Sequence, residues 1–183
     1  TGSSFTDAYI IKLNSDYTFN WHRNFGGTNV STTGSDYATC VIQTSDGGYA
    51  VAGYTNSFGA GGSDMFLAKC DANGTKQWFK TMGGTLDDYA YTVIEVSGGG
   101  YLVGGYSKSF TAGNEDFFLV KLDASGNSCI AIDNTSSVTW TTPGTNPTIS
   151  NITISSADVS TSSSGGTVSS PAPANIQTKV CDP

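Results

Sequence analysis

Short stretches in which apolar and polar residues alternate run through the first two-thirds of the chain. Residues 89–96 and 101–106 are two of them, and the glycines at 98–100 lie between them. Alternation of this kind is typical of strands with one buried face, and glycine lets the backbone reverse in a tight turn. We predict a hairpin here, preceded by two further strands over 65–71 and 76–82.

The same arrangement recurs along the chain. Units begin near residues 7, 64 and 116, and each has Asp at the first position, an aromatic residue at the third and Lys at the sixth. The stretch DYATCVIQTSDGGYAVAGYT from Asp36 also aligns with DYAYTVIEVSGGGYLVGGYS from Asp88. A repeat of about 52 residues with four strands predicts an all-β chain of tandem four-stranded antiparallel units.

These motifs resemble those of a known family. The pattern D-x-aromatic-L-x-K-x-D-x-x-G, then W, G-G, D-x-A and D-G-G-Y-x-x-x-G-Y, is similar to the repeats of secreted bacterial and archaeal β-propeller proteins. The matching residues include Asp64, Lys69, Asp71, Gly74, Trp78, Gly83, Gly84, Asp46, Gly47, Gly48 and Tyr49. The resemblance implies propeller-blade-like sheets and an exterior location. In that family the repeat is a scaffold, so the resemblance implies no activity.

The set of repeats is incomplete. Propellers close with about four to eight blades, whereas this chain has two full units and part of a third. The third copy stops after its first strand, and Ile130 stands where Trp is expected. We therefore predict a repeat region over 1–132 whose outer strands lack partners within the chain. Three arrangements remain open: part of a longer propeller, a ring of copies, or a fibre.

Residues 133–183 differ in composition from the repeats. They are rich in Ser and Thr, and Ile149, Ile152, Ile154, Val159 and Val168 recur among them. One interpretation is a disordered, O-glycosylated stalk. We favour an extended β tail that adds to the sheet edge of a neighbouring copy.

Charge and cysteine content bear on the compartment and the partners. The net charge is −7 and the pI about 4.3, so nucleic acid is not expected as a partner, and there is no apolar run long enough to span a membrane. Four cysteines predict two disulfides in an oxidising compartment, Cys129–Cys181 and Cys40–Cys70, with other pairings open. The sequons at Asn29, Asn73, Asn134 and Asn151 are candidate glycosylation sites.

No residues form a recognisable catalytic, cofactor or metal motif. His22 is the only histidine, and Asp87 and Asp88 are adjacent, so on a strand they face opposite sides. The turns after Asp71 and Asp123 hint at calcium loops but lack the further oxygen ligands, so we predict ordinary Asx turns. The glycine runs lack the residues of a phosphate loop.

The sequence therefore favours a non-enzymatic structural protein, secreted or at the cell surface. We expect it to assemble with copies of itself through β-strand edge pairing, as a surface structure or filament. Two alternatives remain. The numerous Tyr and Trp residues suit an adhesin or a carbohydrate-binding propeller module that takes glycans, and the chain could also be a non-catalytic C-terminal part of a larger secreted protein.

Overall fold

Eleven β-strands make up the regular structure of the chain in a computed structural model, which describes residues 6–27, 34–110 and 114–142. The strands are β1 (Ala8–Leu13), β2 (Phe19–Gly26), β3 (Asp36–Gln43), β4 (Tyr49–Thr55), β5 (Asp64–Cys70), β6 (Lys76–Met82), β7 (Asp88–Glu95), β8 (Tyr101–Ser107), β9 (Asp116–Leu122), β10 (Ala131–Asp133) and β11 (Thr139–Thr141). None of the described residues is helical, so this part of the chain has no helix that could cross a membrane.

The strands form three antiparallel sheets. The first sheet has the order β1-β2-β11, the middle sheet β10-β6-β5-β4-β3, and the third sheet β7-β8-β9. The predicted all-β fold of propeller-blade-like repeats is confirmed, and the described strands do not close a propeller.

Turn chemistry explains why the hairpins form where the pattern predicts them. The chain between β7 and β8 reverses through Gly98, Gly99 and Gly100, all with φ between 86° and 98°, a conformation that other residues adopt at a cost. Between β5 and β6, Asp71 Oδ1 accepts hydrogen bonds from the amides of Asn73 (2.9 Å) and Thr75 (2.8 Å). The predicted Asx turn is thus present.

Apolar cores lie on both faces of the middle sheet. On β5, Met65 and Leu67 belong to a cluster shared with the third sheet, whereas Phe66 and Ala68 belong to one shared with the first sheet. Successive side chains of a strand point to opposite faces, so one strand serves both cores. This is why β5 is buried along its whole length.

The segment after β9 takes a route that the repeat pattern does not predict. Instead of adding a fourth strand to the third sheet, β10 pairs with β6, and β11 pairs with β2. These two short strands thus pair with edges of β6 and β2, whereas among the described strands β1 and β9, at the two ends of the repeat region, each pair on one side only, as expected. The compact unit that contains these strands runs from Thr1 to Pro147. Most of the predicted β tail, from residue 143 onward, lies outside the described residues.

Candidate functional site

The third sheet ends at a strand with an open edge. Within the described part of the chain, β9 pairs only with β8, and its Phe117 and Leu119 are 77% and 50% exposed. The same repeat positions on β5 are Met65 and Leu67, which are completely buried. The difference arises because the third sheet covers β5 on that face, whereas no described sheet follows β9.

The first sheet has an open edge of a different kind. Among the described strands, β1 pairs only with β2, and Tyr9 and Ile11 are each 42% exposed. A cavity of about 250 Å³ lies between residues 9–11 of β1 and residues 38–41 of β3, with Val51 beneath it. Both strands are the last of their sheets on this side, so unpaired backbone groups border the cavity.

A row of tyrosines runs across β3, β4, β7 and β8. Tyr37 stacks on Tyr54 (ring centroids 4.9 Å apart), Tyr54 packs edge-on against Tyr89 (4.8 Å), and Tyr89 contacts Tyr106 (5.2 Å). Tyr91 stacks on Tyr106 at 5.4 Å and completes the row. The rings at the two ends, Tyr37 and Tyr91, are exposed. Apolar ring surface and hydroxyl groups therefore lie together on the surface that spans two sheets.

The tryptophans of the repeat motif lie between sheets. Trp21 Nε1 donates to the carbonyl of Ala72 at 3.0 Å, and a Cβ atom at Gly74 would come within 2.9 Å of the Trp21 ring. Trp78 stands in the same relation to Gly126, at 2.8 Å. Each Trp thus packs on the turn glycine of the following unit, which gives the two motif residues a shared structural role.

Two aspartates meet at the seam between the middle and third sheets. A Cβ atom at Gly83 would overlap Asp64 Oδ1 and lie 2.8 Å from Asp88 Oδ2, so only glycine allows both carboxyl groups to approach. Asp88 accepts hydrogen bonds from the Gly84 amide (2.9 Å) and from the hydroxyl groups of Ser109 (2.6 Å) and Ser107. Both carboxyl oxygens of Asp88 therefore have hydrogen-bond donors.

Asp64 has fewer partners than Asp88. Its Oδ2 accepts from the amides of Ala60 (3.0 Å) and Gly61 (3.3 Å), while its buried Oδ1 has no hydrogen-bond partner. Burial and the nearby charges of Asp88 and Asp87 raise the pKa of Asp64 to about 6. A proton on Oδ1 would give this atom a hydrogen to donate and would remove one of two like charges.

The seam between the first and middle sheets has the same construction. A Cβ atom at Gly26 would overlap Asp7 Oδ1 and lie 2.7 Å from Asp36 Oδ2. Asp36 Oδ1 is buried without a hydrogen-bond partner, and burial, with Asp7 adding to it, raises the pKa of Asp36. The repeat thus places a carboxyl pair at each seam.

A match to a known family covers part of the third sheet. Residues 99–128, which include β8 and β9, match the family described as "Domain of unknown function (DUF5122) beta-propeller". No curated protein matches the sequence.

The described residues form a β-propeller-like repeat domain. Its motif lysine is structural, since buried Lys69 forms an ion pair with Asp46 at 2.8 Å and donates to the carbonyl of Cys70 at 3.1 Å. Hydrogen bonds from Lys69 and Thr44 lower the pKa of Asp46 to about 2. The Lys and the D-G-G turn of the motif are therefore held together by one contact.

The repeat domain does not contain the predicted Cys40–Cys70 disulfide. Both residues are free thiols. Cys70 belongs to the core shared with the first sheet, whereas Cys40 packs against the core shared with the third sheet, so their side chains point to opposite faces and the bond is excluded. Cys129 is not among the free thiols, and Cys181 lies outside the described residues, so Cys129–Cys181 stays a prediction.

The predicted glycosylation sites differ in their surroundings. Asn73 is exposed in the turn between β5 and β6. Asn134 is half-buried, and its Nδ2 donates to Thr81 Oγ1 at 2.7 Å, a hydrogen bond that competes with an attached sugar. Asn29 and Asn151 lie outside the described residues.

The residues considered for catalysis are not brought together. Buried His22 lies against Phe19 and contacts the Tyr9 hydroxyl through Nδ1. The carboxylates of Asp87 and Asp88 have different partners, since Asp87 forms an ion pair with Lys108 at 3.1 Å. In the three described segments, no group of three His, Cys, Asp or Glu residues could hold a metal ion. That the chain is not an enzyme stays a prediction.

Proposed function

We propose that this chain is a structural subunit of an extracellular or cell-surface assembly, in which copies join through open β-strand edges. The observation that carries the proposal is that, among the described strands, β1 and β9 each have an open edge, with exposed apolar side chains on both. Unpaired edge strands with apolar side chains pair readily with other chains.

The two open edges differ from each other, and this bears on the kind of assembly. A contact between two unlike surfaces is head-to-tail, and it produces a ring if the rotation closes and a filament if it does not.

The first test is the size of the purified chain. We expect particles well above the 19.0 kDa of one chain in light scattering, and rings or filaments in negative-stain microscopy. Phe117→Lys combined with Leu119→Lys should weaken the assembly at least tenfold, because two charges would be placed on the β9 edge. Leu86→Lys is the control, since Leu86 is 48% exposed but lies outside the strands.

The result that contradicts the proposal is equally simple. Monodisperse 19.0 kDa monomers at micromolar concentration would exclude self-assembly. Assembly that the β9 double variant leaves unchanged would exclude β9 from the contact between copies.

The tyrosine row supports a second candidate function, a glycan-binding module. Aromatic rings and hydroxyl groups on one surface provide stacking and hydrogen bonding to a sugar. We expect retention on a glycan array, and loss of that retention in the double variant Tyr37→Ala and Tyr91→Ala without a change in melting temperature. Tyr17→Ala removes an exposed tyrosine outside the row and should have no effect. An array without specific retention would exclude this function.

A further inference from the structure

The cavity beside β1 occupies the place that a strand takes in the other two sheets. In the middle sheet β5 pairs with β4, and in the third sheet β9 pairs with β8. At the same repeat position, the described residues give β1 no such neighbour, and the cavity of about 250 Å³ lies there instead. A strand added antiparallel to β1 would stand where β4 stands beside β5.

Two valines at the same position of the repeat show which surface such a strand would cover. Val93 on β7 is 1% exposed, because the middle sheet packs over it. Val41 occupies the same repeat position on β3, faces the cavity, and is 54% exposed. The first sheet thus leaves uncovered an apolar position that the complete middle sheet covers in the next unit. The cavity therefore has both unpaired backbone groups and an apolar side chain available to an extended peptide.

We propose that this groove accepts residues 148–159 of a second copy of the chain. The segment reads TISNITISSADV, in which Ile152 and Ile154 alternate with Thr and suit a strand with one apolar face. It has one charge, at Asp158, and β4, whose place it would take, has none. The described chain ends at Thr142 after β11, on the far side of β2 from β1. The proposal rests on the proposed function, because self-assembly is what makes the donor a second copy.

The test uses two variants of the full chain. One has a blocked groove, with Ile11→Lys and Val41→Lys, two exposed positions where a charge should not disturb folding. The other has a blocked tail, with Ile152→Lys and Ile154→Lys. We expect each variant alone to assemble about tenfold more weakly than the wild type, because the contact between tail and groove is lost and the β9 edge alone remains. A 1:1 mixture should recover particles of at least twice 19.0 kDa, because the intact tail of one variant can enter the intact groove of the other. Ile94→Lys, at another exposed apolar position, should still assemble as the wild type does.

The possible failures separate this proposal from the proposed function. If the wild type assembles and both double variants assemble equally well, the groove is not the contact, and the structural function stands. If the wild type is monomeric, self-assembly itself fails. The pair Ile11→Cys and Ile152→Cys then decides the donor: a disulfide within one chain would show that the tail fills its own groove, which contradicts a second copy.

Discussion

Phe66→Ala should lower the free energy of unfolding by about 3–5 kcal/mol, a large share of the roughly 5–15 kcal/mol that stabilises an ordinary domain. Phe66 is completely buried on β5. Its ring stacks on Phe79 with centroids 5.1 Å apart and meets Phe25 edge-on at 5.7 Å. Removing it would leave a cavity in the core that joins the first sheet to the middle sheet, and the rings around it could not collapse fully into the space.

The repeat itself provides the control for this measurement. Phe117 lies on β9, the counterpart of β5 in the next unit, and is 77% exposed. We expect Phe117→Ala to change the free energy of unfolding by less than about 0.5 kcal/mol. Urea denaturation followed by tryptophan fluorescence would measure both variants. Equal losses would contradict the packing of the first sheet on the middle sheet.

Asp64→Asn should stabilise the chain at neutral pH, by roughly 2–3 kcal/mol at most. The pKa of Asp64 is raised from 3.8 to about 6 in the folded chain, mainly by burial. The folded chain therefore binds this proton more tightly than the unfolded chain does. The stability that this bound proton contributes is present below about pH 4 and is lost as the pH rises towards 6. An Asn side chain keeps the shape of the protonated carboxyl group at every pH.

The difference in stability between Asp64→Asn and the wild type is the quantity to measure. We expect it to be near zero at pH 4 and to grow between pH 4 and pH 7. Taking the difference cancels the contributions of the other carboxyl groups. Among these, Asp46 and Asp133 have pKa values of about 2 and therefore change the stability at lower pH. Asp116→Asn changes the equivalent, exposed residue of the next unit and should show no such growth. A constant difference across this range would mean that Asp64 is charged in the folded chain.

The seams matter for the proposed assembly because they are the only examples of sheet-to-sheet contact that the described residues provide. Each seam combines an apolar core, a Trp on a turn glycine and a carboxyl pair. At the outer end of the third sheet, Asp116 and Phe117 are the counterparts of Asp64 and Met65, and both are exposed. The groove at β1 and the edge of β9 thus each present one side of the sheet-to-sheet contact, and no described sheet packs on them.

Much of the local structure follows from the sequence alone. The period of two in residues 89–96 and 101–106, and the glycines between them, predicted the hairpin of β7 and β8 because strand and turn preferences depend on near neighbours. The absence of Trp at Ile130 likewise indicated that the third unit is incomplete. The exposed positions of β9 follow from this, since a face without a following sheet has nothing to cover it.

Only the tertiary structure decided which distant segments meet. Nothing in the pattern of residues 131–141 distinguishes pairing with β9 from pairing with β6 and β2, although the nearest of these pairs, Ala131 with Met82, is separated by 131 − 82 = 49 residues. The same holds for the buried pair of Asp64 and Asp88, the tyrosine row, and the free thiols on opposite faces of the middle sheet. Each depends on how the sheets stack. Stacking is stabilised by contacts between residues that are far apart in the sequence, and the local alternation of apolar and polar residues does not show which of them meet.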